Sequence, residues 1–169
     1  MWHGIMKILE IQHQDKYGKI LWKQEGVKNL LHLRGEEFLL RAAFTGGRVS
    51  NVIPENYYLG LDNRATVAED DEMADINGEP SFAGYERQSI ASAGDFTVSL
   101  QGSHYQAISP IVAFGASGGT WGPVKNLILS NESGSLGTLI STAVLDTAIT
   151  INDGESVTLR IAMSLKDCS

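Results

Sequence analysis

The chain has 169 residues, a formal net charge of −7, and a composition that is 43% hydrophobic and 20% charged. One domain with a sizeable core is expected at this length, and the acidic balance excludes a nucleic-acid binder that relies on a general basic surface. Cys168 is the only cysteine, which excludes an internal disulfide and fits a reducing, cytoplasmic assembly compartment. No apolar run approaches the roughly 20 residues of a membrane span, and the first residues lack the apolar core of a signal peptide.

Taken in order, Ile8-Leu9-Glu10-Ile11 and Lys19-Ile20-Leu21-Trp22-Lys23 are short apolar runs. Asp15-Lys16-Tyr17-Gly18 lies between them and carries turn residues at both ends, so residues 1–30 are expected to form a β-hairpin or arm that ends at Gly26. Met1 and Met6 both fit as translation starts. Residues 31–48 hold the one convincing helix. Glu36 and Glu37 suit its first turn. Phe38, Leu39, Ala42 and Ala43 make one apolar face, and Gly46-Gly47 stops it. Leu30, Leu31 and Leu33 could extend it backward, with Gly35 as an interruption. So short a helix must pack on a sheet.

Tyr57-Tyr58-Leu59-Gly60-Leu61 reads as a buried strand. A long acidic connection follows over residues 62–84, with a helical turn near Asp71–Asp75 and an exit fixed by Pro80 and Gly84. From Tyr85 the period becomes two. Phe96, Val98 and Leu100 alternate with polar residues, as do Ile149 and Ile151, and Val157 through Leu165. Ile111–Phe114 and Val124–Leu129 read as central strands, apolar on both faces. Asn152-Asp153-Gly154 predicts a hairpin joining the last two strands. The expectation is therefore a single, mainly β domain: a β-sandwich or jelly-roll-like body over 57–165, with an N-terminal hairpin and one short helix.

Charge is unevenly spread. Residues 1–48 hold Lys7, Lys16, Lys19, Lys23, Lys28, Arg34, Arg41 and Arg48 against five acids. Residues 55–79 hold Glu55, Asp62, Glu69, Asp70, Asp71, Glu72, Asp75 and Glu79 against Arg64 alone. Either the two regions are differently solvated faces, or Lys16, Lys19 and Lys23 with Glu69, Asp70, Asp71 and Glu72 form a contact surface between copies. Calcium loops need alternating ligands and a well-placed glycine. Here the acids are consecutive and Gly78 comes too late.

His3, His13, His32 and His104 show no metal-ligand spacing, and no nucleophile elbow or phosphate loop occurs. No catalytic, cofactor-binding or metal residue is assigned. Tyr57, Tyr58, Tyr85, Trp22 and Trp121 read as packing anchors, with a sugar-binding platform that also includes Trp2 and Tyr105 as the alternative.

The order of elements resembles a family of small virion structural proteins of tailed bacteriophages. The carrying residues are Asn29, Gly35-Glu36-Glu37-Phe38-Leu39-Leu40-Arg41-Ala42-Ala43-Phe44, and Asn56-Tyr57-Tyr58-Leu59-Gly60-Leu61-Asp62-Asn63-Arg64. Glu79-Pro80-Ser81 and Gly84-Tyr85-Glu86-Arg87-Gln88 follow, then Trp121-Gly122-Pro123-Val124, Gly137–Ser141 and Gly154-Glu155-Ser156-Val157. The resemblance implies a non-enzymatic virion component without a cofactor. It would assemble in the host bacterial cytoplasm as a homo-oligomer and contact major capsid or tail proteins, with neither nucleic acid nor membrane as partner. A capsid decoration (cement) protein is the first expectation. A tail, neck or fibre-adaptor protein and a host-glycan-binding module are the alternatives.

Overall fold

A computed structural model describes residues 2–27, 29–44, 53–81, 84–102 and 104–167. In chain order the strands are β1 (Trp2–Gln14), β2 (Ile20–Val27), β3 (Asn29–Leu31), β4 (Asn56–Asp62), β5 (Gln88–Ala91), β6 (Thr97–Gln101), β7 (His104–Ile108), β8 (Val112–Gly115), β9 (Trp121–Ser130), β10 (Leu139–Ile151) and β11 (Ser156–Asp167). One helix, α1 (Leu33–Phe44), follows β3, and a 3-10 turn spans Met73–Asp75. The Gly46-Gly47 stop expected after the helix lies outside the described residues.

The strands form two antiparallel sheets, as expected of a β-sandwich. Sheet A has the order β2-β1-β11-β7-β6, with β8 also on β11; sheet B has the order β3-β10-β9-β4-β5. One apolar core lies between them. Sheet A contributes Ile8, Ile11, Phe114, Val157, Leu159 and Ile161, and sheet B contributes Leu59, Leu61, Leu127, Leu129, Ile149 and Ile151. The N-terminal hairpin is thus two strands of sheet A, and β1 pairs along its length with β11.

Ile8 and Ile11 are three residues apart, a spacing that puts side chains on opposite faces of a regular strand. The pairing shifts between Ile8↔Ile161 and Glu10↔Arg160, so one extra residue sits in β1. That bulge returns Ile11 to the core face opposite Leu159.

The helix is seated directly on β10. A Cβ at Gly35 would lie 2.1 Å from the Ile140 carbonyl oxygen, so this position has no room for a side chain. Gly35 is therefore inside the helix and is the residue that lets it approach, rather than an interruption. Phe38 is buried and meets Tyr57 edge-on at 6.2 Å, and Tyr57 meets Phe96 edge-on at 5.8 Å. This chain of rings ties the helix to both sheets at one end of the sandwich.

Two expectations are corrected and two are completed. Asn152-Asp153-Gly154 does not close a hairpin: β10 belongs to sheet B and β11 to sheet A, so the turn arches across the core. Its shape comes from Glu155, whose carboxylate accepts the Asn152 N–H at 2.8 Å and pairs with His13 Nε2 at 2.8 Å. Ile111–Phe114 is no central strand. Ile111 is exposed, β8 is only Val112–Gly115, and its burial alternates. The strand ending at Ile149–Ile151 begins far earlier, at Leu139, and is among the longest. Finally, Phe96 packs on the core, but Val98 and Leu100 are 67% and 57% exposed. Their alternation is real, yet no described residue covers their face.

Candidate contact surface

The acidic connection after β4 folds back over the outer face of sheet B. There β4 presents Gly60 and Asp62 beside Ile128 and Asn126 of β9. Met73, fully buried in its 3-10 turn, packs on Ile128 and Leu139, with Ile76 against them. Two charged clusters pin the loop. In the first, Arg64 Nε donates to the buried Asp62 carboxylate at 3.0 Å, and Arg64 Nη1 donates to Asp71 at 3.0 Å and to the Asp75 carbonyl at 3.1 Å. Asn126 Nδ2 donates to Asp62 at 3.0 Å and to the Arg64 carbonyl at 2.7 Å. Gly78 must be small here, since a Cβ would meet Asp62 Oδ1 at 2.4 Å.

In the second cluster Arg87 grips Glu79 bidentately, at 2.8 and 2.6 Å, and reaches the Gly134 carbonyl at 3.0 Å. The Tyr85 hydroxyl donates to Glu79 at 2.7 Å and accepts the Leu61 N–H at 2.9 Å. Burial, reinforced by the Glu79 charge, pushes the Tyr85 phenol well above its ordinary range. The hydrogen bonds to Glu79 hold the Arg87 guanidinium above its usual value.

His32 clamps the loop to the helix and to β10. Its backbone N–H donates to Ile140, and the next N–H, of Leu33, donates to the Glu69 carbonyl at 3.2 Å. Its ring is fully buried between the Glu69 carbonyl (Nδ1, 3.3 Å) and the Thr142 hydroxyl (Nε2, 2.7 Å). A carbonyl only accepts, so Nδ1 carries the proton and Nε2 accepts from Thr142. Burial holds the imidazole below its ordinary value.

The four consecutive acids therefore have different surroundings. Asp71 is tied to Arg64, and Glu72 pairs with Arg34 at 3.0 Å. Glu69 and Asp70 are exposed and form no ion pair among the described residues. The lysines divide similarly. Lys23 is held on sheet A by Glu10 and Glu25, each at 2.9 Å. Lys16 and Lys19 are exposed in the β1–β2 turn, Lys16 over the Tyr17 ring at 5.1 Å.

These two unpaired sets do not meet within one chain. Glu69 lies where β10 begins, through its bonds to residues 32 and 33. Lys16 lies where β10 ends, since a Cβ at Gly154 would be 3.5 Å from its own Cβ. The same stretch of β10 is spanned by the 10 residues of its partner β9, which puts roughly 30 Å between them at about 3.3 Å per residue.

Of the packing anchors, Trp121 is fully buried and meets Tyr85 edge-on at 5.5 Å, and Tyr85 stacks on Phe114. Trp22 and Tyr57 are half-buried against the core. Tyr58, also half-buried, lies on the outer face of sheet B and lines a shallow groove of about 460 Å³ with Glu79 and Arg87. Among the described side chains the most exposed rings are Tyr17 and Tyr105, which extend from opposite ends of sheet A and share no platform.

Among the described residues no group of three or more His, Cys, Asp or Glu side chains is arranged to hold a metal ion. No described helix is long and apolar enough to cross a membrane. The charged members of the Arg64 and Arg87 clusters are near neighbours in sequence, but each cluster is completed from a distant segment, by Asn126, 62 residues from Arg64, and by the Gly134 carbonyl, 47 residues from Arg87, so neither is legible from its local charges. The available signal was the β4 alternation of Tyr58, Gly60 and Asp62, which marks a polar residue on a strand otherwise buried on both faces. No protein-family model and no curated protein matches the chain.

Proposed function

We propose that the protein is a non-enzymatic structural component of a tailed-phage particle, which self-associates and docks on the capsid as a decoration or cement protein. The observation that carries this reading is the separation of unpaired charge along β10, with Lys16 and Lys19 at one end and Glu69 and Asp70 at the other. Copies set head to tail bring the basic turn of one to the acidic bend of the next. Such a heterologous contact generates rings or extended arrays, and opposite charge steers and registers it.

The remaining chemistry supports the same reading. Asp62 pairs with Arg64 and Glu79 with Arg87, which holds the loop, and Trp22, Trp121, Tyr57 and Tyr85 pack in or against the core. The ordered motifs similar to small virion proteins agree with it, and major capsid or tail proteins are the implied further partners. Assembly takes place in the cytoplasm of the bacterial host.

Two measurements test the reading. Mass spectrometry of purified virions is expected to find the chain at a copy number set by particle symmetry, and antibody labelling to place it on the capsid shell. Labelling confined to the neck or tail would move it to an adaptor role. Light scattering of the pure protein is expected to show association that weakens with salt and is lost in a Lys16→Glu/Lys19→Glu variant. A chain absent from virions and monomeric at all salt concentrations would overturn the proposal.

A further inference from the structure

Sheet edges are templates for pairing with another chain, and proteins guard them with charges or very short strands. Here β2 carries the exposed Lys23 and Glu25, β3 has 3 residues and β5 has 4. The free side of β8 runs beside the return segment, where Tyr85 stacks on Phe114 and a Cβ at Gly84 would touch Ser117.

The edge strand β6 differs. Thr97-Val98-Ser99-Leu100-Gln101 has no charge and no proline. In the register Val98↔Ala107 and Leu100↔Tyr105, with Ala107↔Met163, these residues share the sheet face that carries the core elsewhere. At this end no described residue of sheet B covers that face. Val98 is 67%, Leu100 57% and Tyr105 68% exposed.

We infer that β6 is a self-pairing edge, whose occupant is the β6 of a second copy, antiparallel across a two-fold axis through Ser99. In that register Val98 of each copy lies opposite Leu100 of the other, and the apolar faces of both hairpins fall on the same side. A two-fold contact sets a strand against itself, so any charge on it meets its own kind. β6 has none, whereas a net charge of −7 on each copy opposes contact over most other surfaces. This absence of charge favours a second copy over a charged partner segment. Three apolar side chains and five residues of strand fall short of the roughly 800 Å² per partner of a standard stable interface. The pair is therefore weak alone and effective where copies are already concentrated.

The inference rests on the self-association proposed above, but its chemistry separates the two. A contact of Lys16 and Lys19 with Glu69 and Asp70 weakens with salt, whereas apolar strand pairing does not. Sedimentation velocity at high salt and rising protein concentration is expected to show a monomer–dimer step. Val98→Lys should weaken that step by about tenfold or more, with circular dichroism and Tm unchanged because the site is exposed. In a Cys168→Ser background, Ser99→Cys should give a disulfide-linked dimer on mild oxidation, since opposed residues of paired strands lie within disulfide reach.

A protein that stays monomeric at high salt, a Val98→Lys variant that pairs like the wild type, or a Ser99→Cys variant that stays unlinked where the wild type pairs would each overturn the inference. Loss of the low-salt association in Lys16→Glu/Lys19→Glu with the high-salt step intact leaves β6 pairing standing. A high-salt step in a protein absent from virions would sink the virion reading alone.

Discussion

Replacing Arg64 by leucine is the sharpest test of how the acidic loop is held. The Asp62 side chain is fully buried and that of Arg64 is 15% exposed. In Arg64→Leu, Asp62 keeps the Asn126 amide and loses the guanidinium, the Asp75 carbonyl loses the Arg64 donor, and Asp71 is left with the Ala68 N–H. Stranding a buried carboxylate in this way costs about 3–5 kcal/mol. For a domain of this size each kcal/mol moves Tm by about 2–4 °C, so the drop should be roughly 6–20 °C. Calorimetry or thermal circular dichroism measures it, and limited proteolysis should find new cleavage between residues 65 and 78. The double variant Asp62→Leu/Arg64→Leu removes the stranded charge and should regain part of the loss, because apolar replacements of buried pairs are often well tolerated. An Arg64→Leu protein within about 2 °C of wild type, still resistant in the loop, would refute the reasoning.

Three further outcomes follow from the packing. Gly35→Ala should cost at least 1–3 kcal/mol by pushing the helix off Ile140, as read by urea unfolding, while Gly134→Ala, with open space around it, should stay within about 0.5 kcal/mol. His32 has its folded pKa held below the unfolded value, so its contribution is fully present above about pH 6.5 and is lost as pH falls through the folded value. Urea midpoints between about pH 7 and pH 5 should fall more steeply for the wild type than for His32→Gln; equal slopes would remove His32 as the cause. Tyr85→Phe should cost about 1–3 kcal/mol in chemical denaturation, since the Leu61 N–H loses its partner and Glu79 is left with Arg87 alone.

The sequence reading was strongest where one local rule governs. The Val157–Leu165 alternation and the turn at Asp15–Gly18 read directly as a strand and a hairpin. It was weaker where two distant segments decide together. The spacing of Ile8 and Ile11 conflicts with a strand until the bulge opposite β11 is known. Asn152-Asp153-Gly154 has hairpin chemistry, but strand partners elsewhere turn it into an arch. The acids of residues 69–72 look alike in the chain. Only the fold shows that Asp71 is a structural ligand of Arg64 while Glu69 and Asp70 are left over. Nor does alternation reveal coverage: Phe96 and Val98 are two residues apart on one face, one packed and the other bare.

The place of β11 in the middle of sheet A also sets the timing of folding. Ile8 pairs with Ile161 and Ile11 with Leu159, so β1 has no complete partner until nearly the whole described chain exists. At about 5–20 residues per second, translation leaves the N-terminal hairpin waiting on the order of ten seconds or more. During that interval its core residues Ile8, Ile11 and Val27 face water, and sheet B is the half free to assemble first. Pairings this remote make for slow folding. The last strand then acts as a zip fastener, joining β1, β7 and β8 in one step. Once it has closed, none of β1, β7 and β8 leaves sheet A without parting from β11, while the edge strands β2 and β6 hang on β1 and β7.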